Sequence, residues 1–302
     1  MFDLKSIRNR LIHVSRCRGV TRKTIRKILL LDPALSNIYR LTPLEISKTY
    51  SIPHNNASLF HIDLHDLSLQ EQLTKDLMMC EIITIVDDNY PRVLNTIKDS
   101  PLVLYAIGNI SLLSIQPALS VIGTRKSSNE AFTKTKILVE PLVNDNWVIV
   151  SGMAKGIDSF AHITALNNNG KTIAVLGGGF SHIYPKQNIP LFNQIAKKGL
   201  VLSEYPPHTP PKRFHFPERN RIISGLSFGT LVIEATEKSG TLITVDQALD
   251  QGREVYAVPG SPLIPQTKGC HRMIQDGAKL VLDAQDIKED WDTVRNNYIS
   301  WV

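Results

Sequence analysis

From Leu77 onward, short β-branched and apolar runs alternate with helical stretches, and this alternation limits the fold more than any other feature. The runs fall at 82–86, 102–107, 119–122, 147–150, 171–176, 200–202, 230–233 and 255–258, and the last six are followed by a turn and a helical pattern. Strands that are apolar on both sides must be covered on both faces, and parallel neighbours need a crossover long enough for a helix. The expected class is therefore α/β: a Rossmann-like, mostly parallel sheet with helices on both faces. No period of 20–50 residues recurs, which excludes a solenoid.

In an open parallel sheet, ligands gather beyond the carboxyl ends of the strands. Here those ends carry Gly123-Thr124-Arg125-Lys126-Ser127, Ser151-Gly152-Met153-Ala154-Lys155-Gly156-Ile157-Asp158, Gly177-Gly178-Gly179 running on to Tyr184-Pro185-Lys186, Phe216-Pro217-Glu218-Arg219-Asn220-Arg221, and Ser239-Gly240-Thr241-Leu242-Ile243-Thr244. Glycine permits a sharp turn, and a helix that starts after it presents free N–H groups to an anion. Gly123, Thr124, Ser151, Gly152, Gly177, Gly178, Ser239, Gly240 and Thr241 are thus candidate phosphate-facing positions, although each loop alone is equally well a plain turn. Arg125 can fork onto a phosphate or lie flat against a base.

Several chemistries do not assemble. The dinucleotide fingerprint G-x-G-x-x-G is absent, because Ser181 and His182 stand where its last glycine is needed, and no Walker lysine follows a G-x-x-x-x-G. No G-x-S-x-G elbow and no H-x-x-x-H ligand spacing occurs, so neither a catalytic triad nor a metal site is expected. His162 reads as a packing or polar-network histidine. Cys17, Cys80 and Cys270 are too far apart for a metal or disulfide framework, and with no signal-peptide core or membrane-length apolar run the expected compartment is the cytoplasm.

The net charge of +6 is unevenly placed. Residues 1–75 hold 12 Lys/Arg against 6 Asp/Glu, whereas residues 76–302 hold 22 of each; nine of the N-terminal cations lie between Lys5 and Lys27. Such a concentration suits a polyanion or forms an ordinary solvated helix surface. Residues 4–75 read as short helices: one through Leu4–Val14, a Gly19-Val20 break, a second capped by Thr21 and ended by Asp32-Pro33, and another started by Thr42-Pro43. This pattern resembles a SAM/helix-hairpin-helix-like unit, whose turn amides can face a phosphate or which can serve as a small interaction module.

Read together, the loops acquire an identity. Val121-Ile122-Gly123-Thr124-Arg125 through Val148-Ile149-Val150-Ser151, then Ala154-Lys155-Gly156-Ile157-Asp158 with Ala161-His162, and Thr172-Ile173-Ala174-Val175-Leu176-Gly177 resemble the DNA-processing protein A (DprA/Smf) family. The likeness continues through Tyr184-Pro185, Leu202-Ser203-Glu204-Tyr205-Pro206, Phe216-Pro217 with Arg219-Asn220-Arg221-Ile222-Ile223, Ser239-Gly240-Thr241-Leu242-Ile243-Thr244, Ala257-Val258-Pro259-Gly260 and Gly277-Ala278. It spans about 200 residues in family order.

The resemblance implies a binding protein rather than an enzyme. It would take single-stranded DNA without sequence preference, protect it, and load RecA recombinase onto it during natural transformation. It would need no cofactor and would dimerise through the Rossmann-like core. The family's DNA contacts fall on Arg125, Lys186 and Gln275; Lys155 adds a loop cation. Arg219, Asn220 and Arg221 either add positive charge or fix loops through salt bridges with Glu204 or Glu234. The expected division is a helical domain over 1–75, the core over 76–290 and a tail over 291–302. Many family members carry a C-terminal winged-helix domain, which is not expected here. Thr124 stands where Ser is more frequent, keeping the hydroxyl. The alternative is a nucleoside-phosphate hydrolase of the related phosphoribohydrolase type, but Thr244 stands where that motif needs its general-base glutamate.

Overall fold

The computed structural model describes residues 2–301. The chain separates into two compact units, one of residues 1–90 with 101–105 and one of residues 91–100 with 106–302.

The first unit holds α1 (Ile7–Arg16), α2 (Arg22–Leu31), α3 (Pro43–Tyr50), α4 (His54–Leu64), α5 (Leu67–Met79) and β1 (Glu81–Thr84). Its punctuation follows the sequence signals. The Thr21 hydroxyl accepts the Thr24 N–H, and Thr42 forms a capping box with Glu45 behind Pro43. Asp32 closes α2 ahead of Pro33. A domain boundary at 75/76 falls inside α5.

Several of the N-terminal cations are committed within this unit. Arg8 pairs with Asp87, Arg16 with Asp76 and Arg18 with Asp63, while Arg10 donates to the carbonyls of Leu4, Lys5 and Ala34. The hairpin between α1 and α2 also turns onto its own protein. The Arg18 amide donates to Asp63 Oδ2 at 2.7 Å, so a carboxylate already takes the turn amide that a phosphate would need. Gly19 sits at φ +78°, and a Cβ there would meet the Asn56 carbonyl oxygen at 2.1 Å.

After α6 (Arg92–Asn95), β2 (Val103–Gly108) begins in the first unit and ends in the second. The second unit continues with β3 (Ala118–Ile122), α7 (Ala131–Asn144), β4 (Val148–Ser151), α8 (Ile157–Asn167), β5 (Lys171–Leu176), α9 (Ile189–Lys198), β6 (Leu200–Ser203), α10 (His215–Gly225), β7 (Gly229–Val232), α11 (Thr241–Asp250), β8 (Glu254–Ala257), α12 (Lys268–Gln275), β9 (Lys279–Leu280) and α13 (Gln285–Trp301). Strands β3 to β9 lie in the order β6-β5-β4-β3-β7-β8-β9 and every pair is parallel. Leu119 is the centre of the register, opposite Ile149 on one side and Gly229 on the other.

Successive residues of β3 show why both faces are covered. Leu119 and Val121 join a core with Leu138 and Leu142 of α7, Ala161 of α8 and Trp291 of α13. Ser120, pointing the other way, donates its hydroxyl to the Ile223 carbonyl of α10 at 2.7 Å. The tail expected from residue 291 is helical: Trp291 is buried against Trp147 and Phe228. No described helix is long and apolar enough to cross a membrane.

The strand order reverses at β3, with β4 leading one way and β7 the other. Chain leaving the two strands diverges there and opens a crevice beyond their carboxyl ends.

Candidate nucleic-acid interface

That crevice is a cleft of about 630 Å³, lined by Gly123, Thr124, Arg125 and Lys126 after β3, by Ala154 and Asp158 after β4, by Tyr184, by Arg213, Phe216, Pro217, Arg219 and Asn220 at α10, and by Thr236, Ser239, Gly240, Thr241 and Thr244 after β7. Among the described residues four cations line it against one carboxylate, Asp158. Arg125, Lys126 and Arg213 are exposed and enter no salt bridge among the described residues. At the mouth, the Arg125 guanidinium lies 5.5 Å from the centroid of the Phe216 ring, and Phe216 meets the exposed Tyr184 ring at 5.6 Å. Cation and aromatic face thus stand side by side.

The floor is built from buried polar groups. Arg219 Nη1 donates to the carbonyls of Gly152 (2.6 Å) and Val175 (2.7 Å), which closes the ends of β4 and β5. Asp158 accepts the amides of Gly152 and Ala154 and shapes the 151–158 turn. Burial pushes the Asp158 carboxyl up and the Arg219 guanidinium down to about 10, and their mutual attraction opposes both shifts. Asn188 donates to the Met153 carbonyl and to the Ser159 hydroxyl, tying the 151–158 turn to the segment that carries Lys186. Gly156, at φ +75°, lets the Thr124 carbonyl approach where a Cβ would stand only 2.5 Å from it.

Several expected phosphate-facing positions point elsewhere. Ser151 is fully buried and spends its hydroxyl on the Val121 carbonyl, and Gly152 is covered by the Arg219 guanidinium. Gly177 and Gly178 lie beneath the 206–216 segment: Phe216 covers the first and Pro211 the second. Both glycines permit this close packing. Gly123, Thr124, Ser239, Gly240 and Thr241 do line the cleft, although the Ser239 hydroxyl is used on Thr241.

The candidate contacts also separate. Arg125 lines the cleft, and exposed Lys155 lines a side recess of about 30 Å³ with Tyr184, Pro185 and Phe216. Lys186 is exposed directly after Pro185. Gln275 is exposed at the end of α12 and does not line the cleft. Asn220 lines it, Arg219 forms its floor, and Arg221 turns away to pair with Glu204 and Asp99. Of the two glutamates considered for loop-fixing, Glu204 takes Arg221, while Glu234 takes Lys134 and Ser128 instead.

Sequence reading passed over Lys126, Arg213, Tyr184 and Phe216 as ligand contacts. Arg213 and Phe216 straddle the start of α10, and their Arg-Phe-His-Phe-Pro setting gave a signal of mixed charge and aromaticity. Among the described residues no group of three or more potential metal ligands is assembled, and the three cysteines are buried and free.

Comparisons with known proteins accord with this geometry. The family model for DNA recombination-mediator protein A matches residues 81–292. The chain is 47% identical to the DNA processing protein DprA of Bacillus subtilis over 208 residues, covering 69% of this chain and 70% of that one. It is 46% identical to its counterpart in Streptococcus pneumoniae over 220 residues, covering 73% and 77%. The X-ray structure of the S. pneumoniae protein superposes with a TM-score of 0.83 at 40% identity, over 92% of this chain and 96% of that one. DNA processing protein A of Helicobacter pylori, described for its single-stranded-DNA binding mode, superposes with a TM-score of 0.64 at 27% identity, over 71% and 97%. With a matching family model over most of its length, a mostly parallel core and a basic, aromatic-rimmed cleft at the strand ends, this chain belongs to the DNA recombination-mediator protein A (DprA/Smf) family.

Proposed function

We propose that this chain binds single-stranded DNA without sequence preference along the strand-end cleft, without turnover or cofactor, and loads RecA recombinase onto it during natural transformation. The observation that carries the reading is Arg125 over the Phe216 ring, beside Tyr184, at the mouth of a cleft with an excess of cations. A single strand offers phosphates for the cations and unpaired bases for the rings, and stacking is indifferent to which base is present. The H. pylori relative's described binding of single-stranded DNA supports the same ligand.

Phe216→Ala is expected to weaken oligo-dT binding by about 1–3 kcal/mol, the range for one base–aromatic stack. Arg125→Ala is expected to lower the log–log salt slope by about 0.7, as one lost phosphate contact does. Fluorescence titrations at several salt concentrations read both effects. In strand exchange on DNA precoated with single-strand-binding protein, stimulation of RecA should disappear in the double variant. Unchanged binding in that variant rules this site out.

Among the described residues the only carboxylate lining the cleft is Asp158, whose accessible chemistry is reduced by burial and by two amide bonds. The hydrolase alternative would need it to activate water; release of adenine from AMP in a chromatographic assay would favour that alternative.

Dimerisation through the core is part of the proposal. Strand β9 ends the sheet, and Leu280 on it and Leu282 just beyond it are 42% and 72% exposed. An open edge flanked by exposed leucines favours a second copy over water. Light scattering is expected to give a dimer for the wild type and a monomer for Leu280→Arg/Leu282→Arg; a dimer in both would exclude this edge.

A further inference from the structure

We propose that Glu234 is the positioning residue for Arg125, holding the loop after β3 by both ends while touching no ligand itself. This rests on the single-stranded-DNA reading above.

Glu234 follows β7 and is fully buried. Its carbonyl accepts the Thr124 amide at 2.7 Å, and its carboxylate accepts the Ser128 amide at 2.9 Å and the Ser128 hydroxyl at 2.5 Å. One residue therefore grips positions 124 and 128, and Arg125, Lys126 and Ser127 form the short arch between them. Gly123 permits the grip, since a Cβ there would stand 2.8 Å from the Glu234 carbonyl oxygen. Lys134 of α7 completes the arrangement at 3.1 Å from the carboxylate. A buried carboxylate needs such partners, and without Lys134 its charge would oppose a phosphate in the neighbouring cleft. Glu234 is not among the residues lining that cleft. Its effect on a ligand has to pass through the arch, whose exposed cation Arg125 is held over Phe216.

The test is a double-mutant cycle in oligo-dT binding, read at several salt concentrations, with wild type, Arg125→Ala, Glu234→Ala and the double variant. Glu234→Ala keeps the carbonyl that holds Thr124 and removes the carboxylate that holds Ser128; it is expected to weaken binding in the same direction as Arg125→Ala, by no more than that variant, and to lower the salt slope by at most about 0.7. In the Arg125→Ala background it should weaken binding no further. Because Glu234→Ala strands Lys134, Glu234→Leu/Lys134→Met is measured beside it, with and without Arg125→Ala, and the same non-additivity is expected. Losses that add in both cycles, or Glu234 variants that bind like wild type while Arg125→Ala does not, overturn the proposal and leave the DNA reading intact. If Arg125→Ala itself binds like wild type, the site reading fails and the proposal with it.

Discussion

Replacing Arg219 by methionine is expected to destabilise the second unit by about 3–5 kcal/mol, the range for breaking a buried ionic arrangement from one side. The side chain is 4% exposed, and its Nη1 serves two carbonyls at the ends of neighbouring strands. Methionine fills much of the volume but donates nothing. It leaves the Gly152 and Val175 carbonyls short of a donor and Asp158 without its principal counter-charge. Arg219→Lys should lie between, since an ammonium keeps the charge but not the planar fork. Urea unfolding measures the loss. A shift below about 1 kcal/mol would mean that the strand ends close without Arg219. Paired as it is, Arg219 should affect DNA binding mainly by holding the 151–158 turn.

The same residue shows where sequence reading stopped. The alternation of apolar runs and helices was legible because burial on both faces leaves a strong mark, and the strand-end placement of the loops followed from it. Family resemblance then singled out Arg125, which lines the cleft. What could not be read was direction. Arg219, Asn220 and Arg221 form one basic tripeptide in sequence, but on α10 they point to the floor, the cleft and Glu204 respectively. Helical rotation separates neighbours by about 100°, and only tertiary contacts decide which of them meets solvent. Glycines carry a similar ambiguity. Gly177 and Gly178 suggest a phosphate loop, yet the absence of a Cβ serves Phe216 and Pro211. The basic N-terminus misleads for a third reason: its acidic partners Asp63, Asp76 and Asp87 lie 45 to 79 residues away, beyond any local pattern.

Acid is expected to unfold this protein through two buried histidines, one in each unit. His162 of α8 is fully buried; its Nδ1 lies 2.7 Å from the Thr172 hydroxyl, which itself donates to the Ile149 carbonyl. The hydroxyl proton is thus committed, so Nδ1 must carry hydrogen, and Nε2 is left without a partner. Protonation would bury an unsatisfied N–H and a positive charge near Arg219, and burial, aided by that arginine, holds the pKa down to about 3. In the unfolded chain the same ring titrates near its ordinary value of about 6.5. Because the folded value is the lower one, the unfolded state takes up the proton first as pH falls. The stabilisation is complete above about pH 6.5 and drains away between there and about pH 3. From pH 7 to pH 5 the linkage relation gives a loss of about 2 kcal/mol, large against a net stability of roughly 5–15 kcal/mol. His13 of α1, with Nδ1 2.8 Å from the Tyr39 hydroxyl and Nε2 unpartnered, is held at about 4 by burial and adds the same sign of dependence in the first unit. His162→Gln cannot titrate, so the wild type should lose about 2 kcal/mol more than the variant between pH 7 and pH 5. Urea unfolding at the two pH values reads that difference directly; parallel losses in both proteins would show that His162 is not the proton-linked group.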